Sequence, residues 1–194
     1  MNHDMMVGHA WRIAHRPLVT IRNAFMFTAL DADPERLDQH EKNFVQHIRE
    51  HGWFGTHVMA DGGGPGFSYT TGFWLKFRFP EMILFSMSRE TAHDTLWHIY
   101  GELEAGRRPP VGEPTGEIFE NAAAVLLPVA HEQYEAHLGW SRWFYGNDRF
   151  ECLQLVFPDR GGEFPWMPGS SAEFRAAQPD LTAGNWFGLR ARKN

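Results

Sequence analysis

The sequence predicts an α+β domain over residues 34–169, built as a mixed, largely antiparallel sheet with two or three helices packed on one face. Short apolar or alternating runs bounded by Pro, Gly and Ser read as strands at WFGTHVMA, FSYTTGFW, EMILFSM and ECLQLVF. Two segments with recognisable start and stop residues carry apolar side chains at helical spacing. Strands and helices do not alternate in the βαβ rhythm of a parallel sheet, which points to the α+β class.

In chain order, residues 1–33 read as an N-terminal extension in which RPLVTIRNAFMFTAL adds a strand. Asp33 is a suitable N-cap, and Pro34 sits in the first turn, where its missing amide costs nothing. Leu37, Phe44 and Ile48 then share one face, and Gly52 ends this first helix. WFGTHVMA and FSYTTGFW form two strands around DGGGPG, and EMILFSM is a third between Pro80 and Ser88. Ser88 caps a second helix, Glu90 lies near the positive end of its dipole, and Gly106 closes it. Its buried stripe is Ala92, Leu96, Ile99 and Leu103. After the Pro/Gly-rich RRPPVGEPTG, IFENAAAVLLPVA holds at least one strand. HEQYEAHLGWSRWFYG reads as a short third helix interrupted at Gly139. ECLQLVF is a strand, PDRGGEFPWMPG a turn region, and residues 170–194 a polar C-terminal tail with NWFGL as a docking patch.

A chain of 194 residues that is 43% hydrophobic and 22% charged fits one globular domain with a real core. Sixteen Phe and eight Trp supply apolar area for the core and for lining a pocket or an interface. The net charge of -6 argues against a nucleic-acid partner, and the basic ending LRARKN is too short for a binding arm. The single cysteine, Cys152, excludes an internal disulfide framework. The start has no signal-peptide pattern. The run AAAVLLPVA falls short of the ~20 apolar residues of a membrane span. The expectation is a soluble, cytoplasmic protein without a membrane or nucleic-acid partner, and no motif calls for a cofactor.

The glycine-rich DGGGPG invites comparison with a phosphate loop. Such loops lead directly into a helix whose free amides face the anion. Here the loop leads into a strand, no Lys-Ser/Thr pair follows, and Pro65 removes one donor. A flexible hairpin connection is the better reading. With Ala60 opposite Phe67, one hairpin face carries Phe54, Thr56, Val58, Phe67, Tyr69, Thr71 and Phe73 and suits the core. The other face pairs Trp53 with Trp74, His57 with Thr70 and Met59 with Ser68. Gln154 projects from the polar side of ECLQLVF. The candidate ligand-binding residues are therefore Trp53, His57, Ser68, Thr70, Trp74 and Gln154, joined by Asp159 and Trp166 from the following turn region. The structural alternative is a satisfied polar patch between helix and sheet.

Other chemistry-bearing residues form weaker patterns. His40, His47 and His51 lie along one edge of the first helix, yet HIREH lacks the acid of a zinc-protease motif and no third ligand follows from spacing, so no metal site is assigned. Cys152 lies mid-strand without a neighbouring cation to activate it. Asp159 suits a turn residue bonding backbone amides better than a general acid.

Several stretches together resemble a known bacterial family. They are GFSYTTGFW, FPEMILFSMSRETAH, LGWSRWFYG and LQLVFPDRGGEFPWMPG. Their pattern is similar to the domain of unknown function family 4262 (DUF4262), over about residues 40–169. The matched positions are Tyr69, Thr70, Gly72, Pro80, Glu81, Gln154, Pro158, Asp159, Phe164, Pro165 and Trp166; Phe73 stands where members usually carry Leu. The resemblance implies a compact bacterial domain and brings no catalytic residues with it. The functional expectation is a domain that binds a small molecule or a protein partner at the aromatic-lined face. The alternatives are a hydrolase using His57 with Cys152 or Asp159, and a flavin-binding barrel suggested by YTTGFWLKFRFPEMILFSM.

Overall fold

The computed structural model describes residues 27–182 together with 184 and 186. Six strands form one sheet among these residues, in the order β1-β2-β3-β6-β5-β4. They are β1 (Phe54–Val58), β2 (Phe67–Thr71), β3 (Glu81–Phe85), β4 (Pro114–Thr115), β5 (Ala124–Pro128) and β6 (Cys152–Val156). Only β3 and β6 run parallel; the other pairings are antiparallel. The expected α+β class and mixed, largely antiparallel sheet are therefore present. Among the described residues the sheet is open, with β1 and β4 at its edges, and does not close into the barrel of the flavin-binding reading.

The helices are more numerous than expected. They are α1 (Gln39–His51), α2 (Phe73–Phe77), α3 (Arg89–Glu104), α4 (Tyr134–His137), α5 (Gly139–Tyr145) and α6 (Ala172–Ala177). They also cover both faces rather than one, because the central strands are apolar on both sides. Successive side chains of β3 point to opposite faces. Met82 and Leu84 join the core under α3, with Ala92, Leu96, Ile99 and Leu103. Ile83 and Phe85 join the core under α1, α4 and α5, with Phe44, Ile48, Tyr134 and Phe144. Every residue of β3 and β6 is buried.

Local chemistry accounts for the element ends. Asp33 caps only a short 3-10 turn, Pro34–Arg36, and not the first α-helix as expected. Leu37 is extended, and α1 starts one residue after Asp38. Asp38 accepts the Glu41 amide at 2.9 Å while Glu41 accepts the Asp38 amide at 2.8 Å, a capping box stronger than the Asp33-Pro34 signal. Gly52 ends α1 at φ 84°, as its position suggested. Gly139 opens α5, so the expected third helix is split there. The expected strand in RPLVTIRNAFMFTAL lies outside the described residues apart from its last ones, which include a 3-10 turn, Ala29–Asp31.

The glycine loop is a hairpin turn. Asp61 and Gly64 bridge each other, and the Asp61 carboxylate accepts the Gly63 amide at 2.8 Å. Val58, not Ala60, lies opposite Phe67. This offset from the expected register is an even number of residues, so the paired residues 54–58 and 67–71 keep their faces. Phe73, expected on the face of Tyr69, instead packs in the opposite core beyond the turn at Gly72. His57 now pairs with Ser68, and Gly55 with Thr70. FSYTTGFW does not remain a strand to its end. Gly72, at φ 122°, turns the chain into α2, so the expected pairing of Trp53 with Trp74 does not form.

That turn is held by Glu81, which is fully buried. Its carboxylate accepts the Thr70 hydroxyl at 2.5 Å and the amides of Gly72, Phe73 and Trp74 at 2.8, 3.3 and 3.1 Å. The Tyr145 hydroxyl of α5 donates to it as well. The acidic group thus caps the positive start of α2 and ties β2, β3 and α5 to one point. Thr70 also accepts the Met82 amide at 2.9 Å, and Ser141 bonds both the Thr71 hydroxyl and the Thr70 carbonyl.

Two expected outcomes test this corner. A Cβ on Gly72 would lie 2.5 Å from the Gly52 carbonyl oxygen and 2.8 Å from the Trp53 Cα, both backbone atoms that cannot swing away. Gly72→Ala should destabilise the fold by roughly 3 kcal/mol or more in urea unfolding, since positive-φ strain adds to the clash. Burial holds the Glu81 carboxyl above its ordinary 4.5, with its hydrogen bonds opposing the shift. The unfolded chain then releases this proton first, so Glu81's contribution is full below 4.5 and is lost as pH rises through the folded value. Urea unfolding across that range should show a decline with rising pH that Glu81→Gln lacks.

Candidate functional site

A cavity of about 460 Å³ opens between the β1–β2 hairpin and the start of α3. Gly55, His57 and Ser68 line it from the hairpin, and Arg89, Glu90, His93 and Leu96 from the helix. The strand register builds the first group. His57 lies directly opposite Ser68, and Ser68 opposite Leu84 of the α3-side core, so both polar side chains project toward α3. The His57 Nδ1 and Ser68 Oγ are 2.8 Å apart and hydrogen-bonded.

The second group is set by where α3 begins. Ser88 caps it by accepting the Thr91 amide at 3.1 Å, and Ala92 and Leu96 anchor it in the core. Spacings of three and four residues then bring Arg89, Glu90 and His93 onto neighbouring turns beside the hairpin. Arg89 and Glu90 form no salt bridge among the described residues, so both charges are available at the mouth. Gly55 leaves room on the strand side, with the buried Trp53 indole folded close against it. Trp53 also stacks on His93 at 5.8 Å and 15° and so orients one wall.

A second cavity of about 630 Å³ lies on the α1 side of the same edge strand, against His40, Phe44, Met59 and Trp140. It shares Gly55, Thr56, His57 and Arg89 with the first, so recesses flank β1 on both sides.

Of the residues expected at a site, His57 and Ser68 meet in the first cavity, and Trp53 lies beside it. Thr70 is on the same strand but is fully buried and committed to Glu81 and Met82. Trp74 packs in the opposite core, with α1 and α5. Gln154 also faces that side; its amide donates to the Pro179 carbonyl at 2.7 Å and accepts the Leu181 amide at 3.1 Å, fastening the C-terminal segment. Asp159 spans its own turn by accepting the Gly161 and Glu163 amides. Trp166 stacks on Phe164 at 4.8 Å in a separate cluster with Trp186. No motif marks Arg89, Glu90 and His93, because their place at the cavity depends on where the first turn of α3 docks.

The proposed pairs for hydrolysis do not assemble. Cys152 is on β6, three strand positions from His57 on β1, a separation of roughly 14 Å at the usual strand spacing. It also points into the opposite core. Burial, then the nearby Glu81, pushes its thiol well above the ordinary range, which makes it a poor nucleophile. Asp159 is occupied in its turn. On α1 the His47 and His51 rings are 4.4 Å apart, and partial burial followed by His51 lowers the His47 value. Among the described residues no group of three or more His, Cys, Asp or Glu is arranged to hold a metal ion.

Cys152 provides a direct check. At 3% exposure it should resist a thiol-specific reagent such as a disulfide dye in the folded chain and react fully once urea unfolds the protein.

No helix among the described residues is long and apolar enough to cross a membrane. No curated protein and no solved structure matches this chain. A family model described as a domain of unknown function, DUF4262, matches residues 47–171, a span that takes in α3, the whole sheet and every residue lining the first cavity. The chain belongs to the DUF4262 family.

Proposed function

We propose that this domain binds a small polar molecule carrying a carboxylate or similar anion in the cavity between the β1–β2 hairpin and α3. The observation that carries the reading is the convergence of His57, Ser68, Arg89 and His93, from three elements, on a recess of about 460 Å³. That volume lies within the range of small-molecule sites, which combine apolar walls with a few placed polar groups. Leu96 supplies apolar lining, and Trp53 backs His93. The donors outnumber the single acid, Glu90, which favours an anionic group on the ligand. Arg89 presents a fork suited to a planar carboxylate, and Ser68 and His57 offer a hydrogen-bonded pair to a neighbouring oxygen. Of the expected aromatic-lined face, this reading keeps Trp53, His57 and Ser68 and leaves Trp74, Gln154 and Trp166 to the fold.

The test is thermal unfolding of the whole chain against a panel of small mono- and dicarboxylates and inorganic phosphate. A ligand at 100 times its Kd adds about 2.7 kcal/mol of stability, equivalent to a rise of roughly 5–10 °C in a domain of this size. Arg89→Ala, an exposed substitution, should leave the unliganded melting temperature nearly unchanged and remove most of the rise. A shift that survives in Arg89→Ala places the anion elsewhere, and a panel with no shift ends the reading.

A further inference from the structure

We infer that the same cavity is a serine-dependent esterase site for small carboxylic esters, with Ser68 as nucleophile and His57 as its base. This rests on the binding reading, because the ester must enter the recess that the anion would occupy. The pairing differs from both hydrolase arrangements expected from the sequence, His57 with Cys152 or with Asp159. Neither Cys152 nor Asp159 reaches His57, whereas Ser68 Oγ lies 2.8 Å from His57 Nδ1. That is within reach for direct proton transfer between a nucleophile and a general base. The hydroxyl lies in a residue 5% exposed, yet it lines an open cavity, so a substrate can approach it. With the imidazole proton on Nε2, Nδ1 accepts the Ser68 O–H.

The groups around the pair match the remaining requirements. Arg89 lines the same recess and forms no salt bridge among the described residues, so its guanidinium is free to meet negative charge developing on a carbonyl oxygen. Leu96 offers an apolar surface for a short acyl chain. The strands hold the pair rigidly, since His57 and Ser68 are cross-strand partners and Ser68 is paired again with Leu84.

The reaction balances with water as co-reactant. The Ser68 Oγ–C bond forms at the ester carbonyl as the hydroxyl proton passes to His57 Nδ1. The bond from the carbonyl carbon to the alcohol oxygen then breaks, and the leaving alkoxide takes that proton. Water next attacks the acyl–Ser68 ester and gives one proton to His57. The Ser68 Oγ–C bond breaks, Ser68 recovers the proton, and the carboxylic acid departs. The sum is ester plus water to acid plus alcohol, with no oxidation or reduction.

The experiment treats the full chain with a fluorophosphonate, whose P–F bond breaks as the Ser68 Oγ–P bond forms, and maps the adduct by peptide mass. It also follows hydrolysis of p-nitrophenyl acetate. The expected result is one adduct, on the peptide carrying Ser68. Labelling should vanish in Ser68→Ala, and labelling rate and ester kcat/KM should fall roughly 100-fold or more in His57→Gln. The wild-type adduct map does not depend on how well either variant folds. No adduct on Ser68, or ester turnover unchanged in Ser68→Ala, overturns the esterase. The carboxylate-induced thermal shift and its dependence on Arg89 are read separately. If that shift persists without labelling, the esterase fails and the binding reading stands; if both are missing, both fail.

Discussion

A carboxylate without solvent, Glu81, organises this fold. Placing such a group at the start of a central strand costs several kcal/mol of lost hydration unless donors surround it. Five groups donate to it, from Thr70, the first turn of α2 and Tyr145. They can converge only if β2 ends at Thr71, the chain reverses at Gly72 and α5 lies across the strand ends. The requirement to satisfy one buried acid therefore fixes the path of the chain from β2 through α2 to β3. It also explains why Tyr69, Thr70, Gly72 and Glu81 belong to one pattern, since Tyr69 in turn accepts the Trp140 amide of α5 at 3.1 Å.

With that corner set, the position of the cavity follows. The central strands β3 and β6 are covered on both faces, and their side chains leave no recess. A recess opens toward the sheet edge, where β1 contributes a glycine and a half-buried histidine and α3 has just begun. The polar groups collect there because an edge is where a sheet can carry unneutralised side chains without burying them fully. The edge strand with recesses on both sides is thus a consequence of the filled centre.

Much of the fold was legible from local rules. Ser88 as N-cap and the stripe Ala92, Leu96, Ile99 and Leu103 define α3 as read, because helical spacing and a capping hydroxyl are properties of contiguous residues. The hairpin faces survived a shifted register because the shift was even. The start of α1 was misplaced because Asp33-Pro34 and Asp38-x-x-Glu41 both signal a helix start, and only the second makes a reciprocal cap. Trp74 was misplaced because FSYTTGFW has strand character throughout, and the turn at Gly72 depends on an acid nine residues later.

By itself the sequence determined the family, the mixed and largely antiparallel sheet, the two long helices and the hairpin character of the glycine loop. Each of these is written in neighbouring residues, through period, caps and turn chemistry, or in a pattern of quoted motifs. Only the tertiary structure decided that helices cover both faces, that Gln154, Thr70 and Trp74 serve the fold, and that His57 meets Ser68 beside Arg89, Glu90 and His93. Those outcomes depend on register across strands and on where α3 docks. Contacts between distant residues set both, and no local spacing encodes them.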